Sequence, residues 1–334
     1  MKKTLANLLS FKNLDVDEAR VLIHDIAAGK FNDAQVASLL TIFLMRPLSL
    51  EELTGFKQAA LELSVPLDFS SFATIDLCGT GGDGKDTFNI STLASFVVAG
   101  AGFKVVKHGN YGFSSVSGSS NVLEHLGYSF TNIKEELQDQ LEKHNICFLH
   151  APLFHPAWKT VGPIRKALGV RTFFNMLGPL INPAKTSHQL VGVANLEIFR
   201  LYAYLFQSEN KPFTVVHSLD GYDEVSLTGT FKVATEKSEQ VFSPSNLGLE
   251  KLREEEIYGG ESIQEAATIF ENVLKGKGTK AQNQVVLCNA ALAIQCMDRS
   301  LTFKEAYAKA EESLMGTFAQ KAFEGVTTTN KIFY

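Results

Sequence analysis

Residues 74–109 constrain this chain more than any other stretch. Thr74 to Cys78 is short, mostly apolar and bounded by turn residues, so it reads as a buried strand. Gly79, Gly81, Gly82 and Gly84 then crowd into six residues. Glycine there lets the backbone turn with positive φ and lets N–H groups approach an anion with no Cβ in the way. Asn89, Ser91 and Thr92 open a short apolar helix running to about Ala101, whose free N–H groups and dipole favour phosphate. A second strand, Phe103 to Lys107, delivers a second loop, His108 to Ser120, rich in glycine and serine. Two such loops around one helix imply a site for a phosphorylated small molecule.

The first loop matches two better-known patterns by letter and fails both by chemistry. Gly79-Thr80-Gly81-Gly82-Asp83-Gly84 fits G-x-G-x-x-G, but a dinucleotide site needs an acid at the end of the next strand to hold the ribose. That strand ends in Lys107 and His108, and the loop carries its own Asp83. Gly79 to Lys85 fits G-x-x-x-x-G-K, yet Asp86 stands where a Walker loop needs Ser or Thr for magnesium. A glycine turn without a ligand leaves both loops, and the Lys107 between them, unexplained.

Composition excludes other classes. Lys plus Arg is 31 and Asp plus Glu is 36, a formal charge of −5 that argues against general nucleic-acid binding. Positive charge for a phosphate ligand must therefore be local. Cys78, Cys147, Cys288 and Cys296 form no C-x-x-C pair and fit reduced thiols in a cytoplasmic protein. MKKTLANLLSF is a short apolar run broken by Asn7 and followed by Asp15, Asp17 and Glu18, so it is not read as a signal peptide. The apolar stretch around 93–106 contains Gly100, Gly102 and Lys104 and is too short to span a membrane.

The patterning predicts two domains, in line with 334 residues. Residues 1–66 read as a small helical domain. Asp15 caps a helix through Ala28, Asn32 or Asp33 caps the next, and Ser49 with Glu52 forms a capping box for a third. From 67 to 334 strands alternate with helices, which predicts a large α/β domain with a mostly parallel sheet flanked by helices. Its further strands are Ile146–Leu149, Gln189–Ala194 and Phe213–His217, with Val225–Leu227 and Phe231–Val233 as an antiparallel excursion. Helices are expected near Asn132–His144, Ala157–Leu168, 261–274, 279–296 and 303–314.

Two further features carry chemistry. Asp223-Glu224 lies in a turn, LDGYDE, just beyond a strand end. Hard carboxylate oxygens suit magnesium, which takes one or two of them plus substrate phosphates and water. By pattern alone, adjacent acids in a turn are as a rule solvated. Arg165, in VGPIRKALGV, has the planar fork that matches a flat carboxylate. On spacing alone, an exposed helix arginine explains it equally well.

GTGGDGKDTFNIST, KHGN and SSVSGSS together resemble the anthranilate phosphoribosyltransferases, which catalyse the second step of tryptophan biosynthesis. The resemblance continues through VGPIRKALGVRTFFNMLGPLINPA (161–184), LDGYDE (219–224) and VVLCNAALAI (285–294), and so spans most of the chain. It implies transfer of phosphoribosyl from 5-phosphoribosyl-1-pyrophosphate to anthranilate, on a nucleoside phosphorylase-like fold whose small domain takes in part of about 155–190. Residues implied to hold the donor are Gly79, Gly82, Asp83, Thr87, Asn89, Ser91, Thr92, Lys107 and Ser119. Those implied for anthranilate are Gly79, Asn110 and Arg165, with Arg171 structural. Ser91, Asp223 and Glu224 are the implied ligands of Mg2+, two ions in the family. The family also implies a homodimer through the helical domain, with no nucleic-acid or membrane partner. No general base is assigned. His108 is a candidate, but an aromatic amine is already neutral near pH 7 and needs no activation. The chain departs from the family in Tyr111, where arginine is usual, and in Ser120-Asn121, where Ala-Asp is usual. Two alternatives remain at this stage. A pyrimidine nucleoside phosphorylase of the same fold lacks KHGN and the paired acids; a non-catalytic nucleic-acid-binding relative needs a basic surface.

Overall fold

The structure, a computed structural model, describes residues 1–112 and 118–329. Contacts divide the chain into two units, Met1–Leu67 with Ala151–Pro183, and Asp68–His150 with Ala184–Tyr334.

The first unit is helical. Helices Val16–Ala27, Asp33–Met45 and Leu50–Glu62 each start with a capping box, Asp15 with Glu18, Asn32 with Gln35 and Ser49 with Glu52. Asn32, not Asp33, is the second cap. Such boxes satisfy N–H groups that a helix start otherwise leaves open. Glu52 is fully buried. Its carboxylate accepts from both Arg46 Nη1 and Nη2 (2.9 and 2.5 Å) and from the backbone N–H groups of Leu14 and Ser49 (both 3.0 Å). A charge taken out of water is tolerable only with its lone pairs filled in this way. The second segment joins through aromatic packing, Phe173 stacking on Phe56 at 4.6 Å and meeting Phe43 edge-on at 5.3 Å. The single helix expected over Ala157–Leu168 is two pieces, a 3-10 turn Pro156–Lys159 and a helix Gly162–Leu168. Pro163 is the reason, since it lacks an N–H and its ring excludes a preceding helical turn.

The second unit holds a seven-stranded sheet. Its strands are β1 Thr74–Gly79, β2 Lys104–Gly109, β3 Ile146–His150, β4 His188–Gly192, β5 Phe213–Ser218, β6 Phe231–Thr235 and β7 Glu239–Phe242. The order is β3-β2-β1-β4-β5-β6-β7, parallel through β5 and antiparallel beyond. The antiparallel excursion is thus β6 with β7. Val225–Leu227 forms no strand, and Leu227 has a φ of 61°, which breaks an extended run. Helix Ile90–Gly100 is apolar on nearly all sides because it is enclosed, packing on β1 and on helices Lys280–Met297 and Phe318–Thr329. Among the described residues no helix is long and apolar enough to cross a membrane.

Candidate functional site

The chain leaves β1 for β2 on one side and later returns to lay β4 on the other. Such a reversal opens a crevice at the carboxyl ends of the strands, where open α/β sheets bind ligands. β1 ends at Gly79 and β4 at Gly192, which are register partners. Both abut Asp223. A Cβ on Gly79 would overlap the Asp223 carboxylate, with Cγ at 2.9 Å, and one on Gly192 would overlap the Asp223 backbone carbonyl, with its carbon at 2.6 Å. Glycine is required at both by close approach. At Gly81, Gly82 and Gly84 it is required by φ of 66°, 78° and 73°.

The acids lock the loop and the helix start together. Gly81 N–H donates to Asp223 Oδ2 at 2.6 Å, Asp223 N–H to Asp83 Oδ2 at 3.3 Å, and Ser91 N–H to Glu224 Oε1 at 2.9 Å. Asn89 is the N-cap residue of helix Ile90–Gly100. Thr87 bridges Tyr258, and Thr92 is buried in the same helix. Burial is the largest influence on Asp223 and Glu224. It raises both carboxyls, Glu224 to about 7 despite the Ser91 N–H, and the neighbouring Asp83 pushes both further. Carboxylates so placed gain from a cation, and the hard oxygen donors of Asp223, Glu224 and the adjacent Ser91 fit magnesium. Among the described residues no three His, Cys, Asp or Glu side chains gather as a self-sufficient metal cage. Magnesium often uses substrate phosphates and water instead.

Two positioning groups escaped the sequence reading. Asn289 Oδ1 accepts from Val225 N–H at 3.2 Å while its Nδ2 donates to Val225 O at 2.9 Å, clamping the chain just after the acids. Ser218 Oγ donates to Glu224 O at 2.7 Å. The one available signal was an asparagine inside the apolar run VVLCNAALAI; for Gly192 and Ser218 there was none.

Lys107 is buried, its ammonium donating to Leu77 O. Asn110 follows β2, exposed, and its backbone carbonyl accepts from Ser120 N–H (3.3 Å) and Ser119 Oγ (3.4 Å). Residues 113–117, which carry most of SSVSGSS, lie outside the described residues. His108 N–H donates to Asp76 Oδ1 at 3.2 Å. Arg165 belongs to the helical unit, half-buried, with Nη2 donating to Asn175 Oδ1 at 3.2 Å and the guanidinium 5.4 Å from the Phe174 ring centre. Burial pulls its pKa below the ordinary arginine value. Arg171 is exposed.

Residues 72–319 match the model of a glycosyl transferase family, a/b domain, and residues 2–64 match its helical bundle domain. The chain belongs to that glycosyl transferase family. It is 52% identical over 332 residues to the anthranilate phosphoribosyltransferase of Christiangramia forsetii, covering 99% of each chain. Within the family it therefore belongs to the anthranilate phosphoribosyltransferases. The crystal structure of that enzyme from Thermus thermophilus superposes with a TM-score of 0.91 at 31% identity, covering 98% of this chain and 99% of the other. The Saccharomyces cerevisiae enzyme in complex with PRPP and Mg gives 0.90 at 28% identity, covering 98% and 96%. These relatives do not favour a pyrimidine nucleoside phosphorylase or a nucleic-acid-binding relative.

Proposed function

We propose that this chain transfers the phosphoribosyl group of 5-phosphoribosyl-1-pyrophosphate to the amine of anthranilate, in the tryptophan pathway. The bond from the anomeric carbon to pyrophosphate breaks, a carbon–nitrogen bond forms, and the amine gives up a proton. The products are N-(5-phosphoribosyl)anthranilate and pyrophosphate. The observation that carries the reading is the interlock of Asp223 and Glu224 with the Gly79–Gly84 loop and the Ser91 N–H.

The loop residues Gly79, Gly82 and Asp83, with Thr87, Asn89, Ser91 and Thr92, cradle the diphosphate. Lys107 supplies positive potential from beneath and Ser119 a hydroxyl. Ser91, Asp223 and Glu224 hold two Mg2+ ions. Bound magnesium screens phosphate charge and makes pyrophosphate a better leaving group. Arg165 takes the anthranilate carboxylate, and Asn110 with the Gly79 backbone orients the amine. The protein's own contribution is positioning and charge stabilisation of an oxocarbenium-like state, with no general base. Exposed Leu9, Phe11 and Met45 on the helical unit support a homodimer through that unit. Four buried free cysteines support a cytoplasmic protein.

Purified protein with phosphoribosyl pyrophosphate and magnesium should extinguish anthranilate fluorescence and release stoichiometric pyrophosphate. Unchanged fluorescence at saturating substrates would refute the proposal.

A further inference from the structure

We infer that Asn121 is a positioning residue, whose single side-chain oxygen clasps the two flanks of the second loop and so sets the spacing of Asn110 and Ser119. The inference rests on the proposed function for the roles of those two residues, and on geometry for the clasp. Asn121 Oδ1 accepts from Gly112 N–H at 2.9 Å and from Gly118 N–H at 3.0 Å. The flanks touch at this point. A Cβ on Gly118 would stand 2.7 Å from both Gly112 Cα and the Tyr111 carbonyl carbon.

Two further ties lie beside it. Asn110 O accepts from Ser120 N–H and Ser119 Oγ, and a Cβ on Gly109 would lie 2.7 Å from that Ser119 Oγ. Tyr111 meets the His150 ring edge-on at 4.7 Å, and His150 Nδ1 pairs with Ser120 Oγ at 3.0 Å while Phe130 stacks on the ring at 4.6 Å. The first tie joins Asn110 to Ser119 and Ser120 directly, and the second runs through the His150 ring. Asn121 joins Gly112 and Gly118 through one atom.

The residue type follows from what the clasp needs. A side-chain oxygen three residues into the flank has two lone pairs and takes two N–H donors at once. Asn121 is the third residue of helix Ser119–His125, which the buried Val122 and Leu123 fix to the core. A rigid core thereby dictates the geometry of Asn110 on one flank and Ser119 on the other. Losing the oxygen leaves both flanks free to drift by fractions of an ångström, which positioning catalysis does not tolerate.

The test combines amide hydrogen exchange of the full chain, resolved by NMR at Gly112 and Gly118, with steady-state kinetics. In Asn121→Ala both amides should exchange roughly tenfold faster, as expected for a lost hydrogen bond. kcat/KM for the donor should fall by about tenfold or more, by the same loss of positioning, with far-UV circular dichroism unchanged. Asn121→Asp, which keeps an oxygen acceptor, should retain slow exchange and recover most of the lost kcat/KM. Should Asn121→Ala fail to fold, Asn121→Ser, whose hydroxyl is too short to serve both donors, should give the same pair of changes. Wild-type exchange in the alanine variant would overturn the clasp. Faster exchange with wild-type kinetics would overturn the positioning role, as would an aspartate variant impaired as much as alanine. A wild-type protein inactive with anthranilate would remove the functional reading and the positioning role, while the exchange data would still decide the clasp.

Discussion

Gly79→Ala isolates the contact on which the donor site depends. The added methyl would occupy space held by the Asp223 carboxyl group. Asp223 must rotate away, and its 2.6 Å bond from Gly81 N–H is lost. Hydrogen bonds to charged groups contribute about 1.5–3 kcal/mol. The apparent dissociation constant of magnesium phosphoribosyl pyrophosphate should therefore rise roughly 10- to 150-fold. The fold should survive, because the displaced group is a side chain. Gly192→Ala is the control. Its methyl meets the Asp223 backbone carbonyl, which cannot swing aside, so overpacking of about 1–3 kcal/mol should appear as lost stability. Isothermal titration at fixed magnesium, paired with thermal melts, reads both quantities. Unchanged donor affinity in a folded Gly79→Ala protein, or equal losses of Tm in the two variants, would refute the reasoning.

Other expectations follow from the same geometry. Asp223→Asn with Glu224→Gln should lower kcat and recover partly at high magnesium, with the anthranilate KM unmoved; a raised anthranilate KM would contradict the metal assignment. Arg165→Ala should raise the anthranilate KM by roughly 30- to 150-fold, for a bidentate contact of about 2–3 kcal/mol; a kcat loss that magnesium relieves would move Arg165 to the diphosphate. Tyr111→Phe should change donor KM by no more than about twofold, since its hydroxyl stands 3.4 Å from either Glu124 oxygen and the ring contact with His150 remains. A tenfold rise in donor KM would show that the hydroxyl touches the substrate.

The elements that could be read from sequence were those decided by neighbours along the chain. Asp15, Asn32 and Ser49 start helices because an oxygen meets an N–H three residues on, a relation visible in the letters. β1 and β5 were legible as short apolar runs. Glu239–Phe242 was not, because an edge strand exposed on most of its residues has no apolar alternation to show. The fate of Val225–Leu227 was equally hidden. Its apolar letters suit a strand, but Asn289, 64 residues away, holds its backbone instead. In the candidate site the glycine loop and the paired acids stand out by composition. That Gly192 must be glycine is a long-range fact, dictated by a carbonyl that only folding brings against it.

The alternation of the two units along the chain also governs how the protein emerges during synthesis. β1, β2 and β3 leave the ribosome before the second helical segment, and that segment must be made before β4 can pair with β1. Through that interval β1 presents one unpaired edge, the state most open to wrong association. The glycine loop lacks Gly192, Asp223 and Asn289 until still later. A nascent chain therefore carries its phosphate-binding sequence long before it carries a site that can close around phosphate, and ligand capture is deferred until most of the molecule exists.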